Sequence, residues 1–289
     1  MINIVIPMAG RGSRFSAAGY ATPKPLLPVH GVPMIEFVIR NLAPQRPHRF
    51  TFICQREHLH AHKLDVLLHD AAPGCSIIVA DALTQGAACS VLLAAEQIDD
   101  DAPLVIANCD QYCALDMDTF LAKLDTLDGL IAAMTASDPK WSYAALRPDG
   151  LVASVVEKQV ISDIATVGIY GFAQGSDFCR AAREMIASKR VVNGEYYVAP
   201  TYNTLVAGGA CVGIYPVGRE AEGMFGLGTP DDLEFFLAHP DSHAIVGNTL
   251  SRCRIGSAPE VFSGMGLFQR GGATSGTGRF GSGYQEGRA

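Results

Sequence analysis

The chain has little positive charge to spare. Its formal net charge is −7, and a protein that neutralises nucleic-acid phosphates needs a basic face, so no nucleic-acid partner is expected. Any nucleotide must be met by a few local cations. No apolar run approaches bilayer length, and the chain opens on a strand pattern with no basic leader or cleavage site. No membrane partner is expected, and a cytoplasmic location follows by default. The eight cysteines include no Cys-x-x-Cys pair. Several, such as Cys54, Cys75 and Cys211, stand in or beside apolar strand candidates, where a thiol acts as a small hydrophobe in a reducing compartment.

What is present is enough for a sizeable core. The 289 residues are 48% hydrophobic and 18% charged, which suits one large globular domain or two small ones. The run Asn3-Ile4-Val5-Ile6-Pro7 has no alternation and ends in proline; it reads as a strand covered on both faces, as at the centre of a parallel sheet. Reactive groups then gather at its carboxyl end.

Directly after it comes Met8 to Val29, MAGRGSRFSAAGYATPKPLLPV. Gly10 and Gly12 lack Cβ atoms, so the backbone of Ala9 to Gly12 can turn its N–H groups toward an anion. Arg14 can fork two phosphate oxygens. Pro23 and Pro25 restrict the backbone on either side of Lys24 and so restrict where its ammonium points. A dinucleotide fingerprint would need a third glycine where Phe15 stands and an acid at the end of the next strand, which closes on Cys54-Gln55. A P-loop would need Gly-Lys followed by Ser or Thr, which is missing from this stretch. A polyphosphate-binding turn remains, set against a plain solvated turn.

Gly10-Arg11-Gly12-Ser13-Arg14-Phe15 followed by Pro23-Lys24-Pro25-Leu26-Leu27-Pro28-Val29 resembles the long, specific signature of the sugar-phosphate nucleotidylyltransferases. The resemblance covers residues 1 to 240. It implies an α/β fold of Rossmann-like, GT-A type: a three-layer sandwich with a mostly parallel central sheet and an inserted β-hairpin. It also implies an enzyme that joins a nucleoside triphosphate to a phosphorylated small-molecule acceptor and releases pyrophosphate. Arg14 and Lys24 would then be catalytic, and Ala9, Gly10 and Gly12 would bind the nucleotide. The wording of the opening stretch is similar to a subgroup associated with capsule and surface polysaccharide, some of whose members use CTP and non-sugar phosphates.

The rest of the chain is read in order. Pro33 stands near the first position of a helix with the buried stripe Ile35, Val38, Ile39 and Leu42. Arg49 to Cys54 is a strand, Arg56 to His69 a helix, and Cys75 to Ala80 a third strand; this alternation argues for a parallel sheet. His58, His60 and His62 invite a metal reading, but no carboxylate or cysteine joins them at ligand spacing, which leaves an ordinary solvated helix face. Between the third strand and a helix running to Gln97, Gln85 offers a donor and an acceptor for a base edge, and Gly86 with two alanines lets a flat ring approach. The family has a similar segment at its base site; a common helix start with small residues is the alternative.

Leu104 to Asp110 is a buried strand running into a carboxylate. Asp110 is well placed to hold Mg²⁺ on a triphosphate, and the family's metal motif falls here; the alternative is a helix-capping aspartate. Trp141 to Arg147, the turn Pro148-Asp149-Gly150 and Leu151 to Glu157 read as a hairpin, and Ile164 to Phe172 as another strand. By resemblance Glu157 and Lys158 grip the acceptor, with Gly168 and Glu195 beside them, although adjacent charges are also common as surface pairs. Cys211 to Val217 reads as the last strand. Thr229, Pro230 and Asp232 then look like N-cap, first residue and capping-box acid of a closing helix.

One departure from the family pattern concerns the metal. Gly226 stands where many members place a second metal-binding aspartate. Asp110 would hold Mg²⁺ with triphosphate and water alone, or with Glu195 or Glu222. Residues 1–248 are therefore read as a nucleotidyltransferase domain and 249–289 as a Gly/Ser-rich tail without a packed core. A homo-oligomer is left open. The rival reading is a GT-A glycosyltransferase, whose Asp-x-Asp would appear as Asn108-Cys109-Asp110 without its first acid; a non-catalytic nucleotide-binding protein is the third.

Overall fold

The computed structural model describes residues 1–252. Residues 253–289, most of the expected tail, lie outside the described residues. The first half alternates strand and helix: β1 (Ile2–Pro7), α1 (Ser13–Ala17), the short strands β2 (Pro28–Val29) and β3 (Val32–Pro33), α2 (Met34–Leu42), β4 (His48–Gln55), α3 (Arg56–His62), α4 (Leu64–Ala71), β5 (Ser76–Ala80), α5 (Ala87–Leu92), α6 (Ala95–Ile98) and β6 (Leu104–Ala107). The second half is richer in strands: β7 (Gln111–Cys113), α7 (Met117–Leu124), β8 (Gly129–Thr135), β9 (Ser142–Leu146), β10 (Val152–Glu157), β11 (Ile164–Phe172), α8 (Gly175–Ala187), α9 (Tyr202–Ala207), β12 (Val212–Glu220), β13 (Gly223–Gly226), α10 (Pro230–Ala238) and α11 (Ser242–Arg252).

One large sheet runs in the order β5-β4-β1-β6-β11-β8-β12-β13-β7. Along that path β11 and β7 are reversed and every other strand points the same way, so the sheet is mostly parallel. β9 and β10 form the expected hairpin, attached to the sheet where Tyr143 of β9 pairs with Ala165 of β11.

β1 shows why its sequence does not alternate. Ile2, Ile4 and Ile6 enter one core with Ile35 and Val38 of α2, Leu64 of α4 and Phe120 of α7, while Val5 enters a second with Val91 of α5, Phe178 of α8 and Tyr202 of α9. Helices thus cover both faces, and a strand buried on both sides must be apolar throughout. A third, smaller cluster joins Phe15 and Leu27 to Phe37 of α2, Phe225 of β13 and Phe236 of α10. It anchors the glycine-rich stretch to the closing helices.

Several boundaries differ from the sequence reading, each for a local reason. The helix expected over 56–69 breaks at Lys63, which takes φ 50 and ψ 38 between α3 and α4. α3 contributes no buried residue, whereas Leu64 and Leu68 of α4 are fully buried, so the break re-aims the chain into the core. The helix expected to reach Gln97 is interrupted between α5 and α6. Pro33 pairs with Pro28 across the β2–β3 hairpin and caps α2 instead of opening it. β12 is not the last strand, because β13 follows it through Ala221 at φ 63. β8 escaped the sequence reading, being alanine-rich; its pairing with both β11 and β12 makes it a strand. Thr229 does cap α10, its hydroxyl accepting from Asp232 N at 3.1 Å. α11 passes residue 248, with Thr249 buried.

Candidate functional site

β1, β4 and β6 end side by side at one edge of the sheet, and the glycine-rich turn is built there. Met8 N donates to Ile53 O of β4 at 2.9 Å. The amide of Gln55, just past it, donates to Ala9 O at 2.7 Å. These two bonds pin the start of the turn to the end of β4. Gly12 then takes φ 58 and ψ 30, a left-handed conformation that glycine adopts without strain, and α1 starts at the next residue. Phe15 is buried and packs edge-on against Tyr20 at 5.3 Å, which fixes α1 from below.

Pro23 is extended, and Lys24 to Leu26 form a short 3₁₀ turn. Lys24 is thereby aimed at the end of β6, where its ammonium donates to Asp110 Oδ2 at 2.7 Å. Burial works to lower the lysine's pKa, but the charge and hydrogen bond of Asp110 outweigh it and hold Lys24 well above its ordinary range. Lys24 is a cation at any working pH. Asp110 is clamped by the closing segment: Leu227 N donates to its carbonyl at 2.8 Å, and a Cβ on Gly228 would stand 2.8 Å from its Oδ2. Only glycine lets that segment come so close. A Cβ on Gly226 would point at the Asp232 carboxyl, 3.7 Å away.

These elements surround a cavity of about 850 Å³. Among the predicted site residues, Gly10, Gly12, Lys24, Asp110 and Glu195 line it. Arg14 is exposed on α1 and does not line it, although its charge reaches Lys24; Arg11 is the arginine on the wall. Ala9 is buried, serving the turn through its carbonyl. Gln85, which is exposed, and Gly86 are not in the lining, whereas the next residue, Ala87, is. They are joined to the turn that carries Glu195: Tyr196 N donates to Gln85 O at 2.8 Å and Ala88 N to Tyr196 O at 3.0 Å. Gly86 has φ 115, and a Cβ there would strike the Tyr196 backbone at 2.5 Å.

Gly168 lies beneath the cavity, not in its wall. Its φ is 73, its carbonyl accepts from Asn108 N at 3.0 Å, and a Cβ would meet the Asn108 amide at 2.1 Å. Asn108 lines the cavity, and its amide donates to Gln111 Oε1 at 3.4 Å. Gln111 is buried with its own amide nitrogen unpartnered. The sequence reading missed Gln55, Asn108 and Gln111. The only available signal was position: Gln55 is the last residue of β4, Asn108 directly follows β6, and Gln111 opens β7 just beyond Asp110.

Glu157 ends β10 and Lys158 follows it, both outside the cavity lining. Ser142 Oγ donates to the buried Glu157 carboxylate; burial pushes that carboxyl above its ordinary range while Ser142 and Lys158 pull it back. Lys158 takes φ 55, donates to the Tyr197 hydroxyl at 2.8 Å and lies 5.0 Å over its ring. That hydrogen bond is the main reason its pKa is raised.

The histidines of α3 divide. His58 and His62 line the cavity with Glu57, and His60 is exposed. His62 is exposed as well, as a solvated face requires, and only His58 is half-buried; the two reach the cavity because α3 leaves β4 at the same sheet edge as the glycine-rich turn. No group of three or more His, Cys, Asp or Glu among the described residues is placed to hold a metal ion, and no described helix is long and apolar enough to cross a membrane.

Comparisons with solved structures agree with this architecture. The nucleoside-diphosphate-sugar pyrophosphorylase from Vibrio cholerae RC9 is 29% identical, with a TM-score of 0.73 over 82% of this chain and 100% of that one. Two more distant structures share the fold. The inositol-1-phosphate CTP transferase from T. maritima is 13% identical, with a TM-score of 0.64 over 86% of this chain and 95% of that one. HddC from Yersinia pseudotuberculosis is 18% identical, with a TM-score of 0.59 over 82% and 100%. A search of curated proteins found no match. The family described as MobA-like NTP transferase domain matches residues 4–164, a span that runs from β1 through the glycine-rich turn, Asp110 and the hairpin to the start of β11; the chain belongs to that family and is a nucleotidyltransferase.

Proposed function

We propose that the enzyme joins a nucleoside triphosphate to a phosphorylated small molecule, a sugar 1-phosphate or a related surface-polysaccharide precursor, in the manner of a nucleotide-sugar pyrophosphorylase. The observation that carries this reading is the Lys24–Asp110 pair at the mouth of a glycine-rich turn, within one cavity. An acceptor phosphate oxygen attacks the α-phosphorus in line. The bond from that phosphorus to the bridging oxygen breaks, and pyrophosphate leaves with the electron pair. The acceptor oxygen is already anionic, so no general base is needed. Lys24 offsets charge on the equatorial oxygens, and the N–H groups of the Gly10–Gly12 turn meet the leaving phosphates. Arg14 adds positive potential from α1.

Nucleotidyltransferases of this family generally work with a divalent metal. Asp110 suits Mg²⁺, which keeps most of its water and takes one or two carboxylates together with phosphate oxygens. When bound, Mg²⁺ would supply neutralising charge to the triphosphate. Lys24 holds the Asp110 carboxylate until then. On this reading Gln85 and Gly86 form the base side, while Glu157, Lys158, Gly168 and Glu195 form the acceptor side, Gly168 by holding Asn108. Residues 1–248 are the catalytic part, acting in the cytoplasm.

The test uses which bond breaks. With Mg²⁺, labelled pyrophosphate and the matching nucleotide-activated compound, the enzyme should form labelled NTP. Screening four NTPs against phosphorylated acceptors by pyrophosphate release identifies the forward pair. Sugar transfer to an acceptor hydroxyl, with no pyrophosphate exchange over a broad panel, would establish a glycosyltransferase instead.

A further inference from the structure

We propose that His58 and His62 close the cavity opposite Asp110 and bind the outer phosphates of the nucleoside triphosphate, hence the departing pyrophosphate. The inference rests on the reading that this cavity receives the triphosphate, and it adds two residues which no motif marks.

The topology fixes the direction. In the sheet order β4-β1-β6, the glycine-rich turn follows the middle strand, Asp110 follows β6 on one side, and α3 follows β4 on the other. A chain of phosphates that starts beside Lys24 and Asp110 and crosses the Gly10–Gly12 turn runs toward α3. The distance is short, because Gln55, immediately before α3, is bonded to Ala9 O at 2.7 Å. Glu57, His58 and His62 accordingly line the same cavity as Gly10, Arg11 and Ser13. The base segment does not compete for this wall. It leads into α5, whose Ala88 and Val91 belong to the core on the opposite sheet face, whereas Leu59 of α3 packs against the core that contains α2 and α4.

The chemistry fits a phosphate. His58 and His62 are four residues apart and share a helix face. His58 Nδ1 is buried and has no hydrogen-bond partner in the protein, a costly condition that a ligand oxygen would relieve. Burial, with His62 adding to it, lowers the His58 pKa, and Glu57 opposes the shift. An imidazole N–H can donate to a phosphate oxygen in either protonation state, beside the cations Lys24 and Arg11 in the same cavity. A resident metal is not indicated, since no third ligand joins the pair. Because α3 has no buried residue, the two histidines are not needed for the core.

The experiment measures binding of inorganic pyrophosphate, with Mg²⁺, to the full-length protein by calorimetry. His58→Leu combined with His62→Leu should weaken binding by about tenfold or more, the scale of a lost hydrogen bond to a charged group, with Tm unchanged. His58→Asn combined with His62→Gln should recover most of it, because an Asn amide places a donor near the former Nδ1. Lys24→Ala is the control for the underlying reading. Weak binding in Lys24→Ala alone, with the leucine pair like wild type, overturns the inference and leaves the cavity as the phosphate site. Undiminished binding in both overturns the phosphate reading of the cavity itself. Equal loss in the leucine and amide pairs would assign the histidines to packing and also overturn the inference.

Discussion

The two regions that the proposed function assigns to the triphosphate and to the acceptor are built in opposite ways. On the phosphate side a single stretch, residues 8 to 29, supplies the turn, the arginines and Lys24, and one strand end supplies Asp110. On the acceptor side Glu157 is satisfied by Ser142, Lys158 by Tyr197, and Gly168 by Asn108, partners 15, 39 and 60 residues apart in the chain (168 − 108 for the last). A continuous stretch can be reused intact for any triphosphate, because its geometry is set by its own glycines and prolines. An acceptor pocket assembled from distant segments can be retuned one segment at a time. The difference accounts for a signature that announces nucleotidyl transfer without naming the acceptor.

The comparison breaks most decisively at Lys24. Lys24→Ala should lower turnover by roughly a hundredfold or more, the scale for losing one aligned charge stabiliser, while Tm stays near wild type. A near-normal rate would remove the phosphate side's claim to the chemistry. Arg14→Ala sharpens the same point: an exposed arginine outside the lining should raise the KM for NTP more than it lowers kcat.

Asp110→Asn comes next. Activity should fall and require much higher Mg²⁺, because the amide keeps the size and loses the charge. An unchanged Mg²⁺ titration with an unchanged rate would reduce Asp110 to an anchor for the Leu227–Gly228 segment.

On the acceptor side the effects should be smaller and confined to one substrate. Lys158→Ala should raise the acceptor KM by about tenfold, the scale of one charged hydrogen bond, and leave NTP binding measured without acceptor unchanged. Equal loss for both substrates would mean that the Lys158–Tyr197 contact holds the whole rim, including the Tyr196–Gln85 stitch.

The smallest effect concerns Glu157 and pH. Its folded pKa lies above the ordinary 4.5, chiefly through burial, so the folded state binds the proton more tightly than the unfolded chain. Glu157 therefore costs stability progressively as pH rises from about 4.5 through its folded pKa. The Tm of Glu157→Gln, relative to wild type, should climb over that interval and then level off. A difference that is flat with pH would show that Ser142 compensates the burial fully.

Local chemistry was legible and long-range closure was not. Gly12 had to turn and Pro23 had to extend, and both could be read from neighbouring residues. The break at Lys63 depends on Leu64 and Leu68 finding a core, and the strand character of β8 on having β11 and β12 for neighbours. The sequence singles out Arg14 by its place in the signature, but with α1 starting at Ser13 it is Arg11 that stands on the cavity wall, while Arg14 is exposed outside the lining.

By itself the sequence determined a doubly covered central strand, a glycine-rich turn followed by a constrained lysine, and a carboxylate at a strand end, because each follows from backbone freedom and apolar patterning within a few residues. Only the tertiary structure decided that Lys24 meets Asp110 across 86 residues, that Gly228 leaves just enough room for that carboxylate, and that two of three similar histidines face the cavity. Those outcomes depend on which strand ends lie next to one another at the sheet edge, and strand order is fixed by packing over the whole chain.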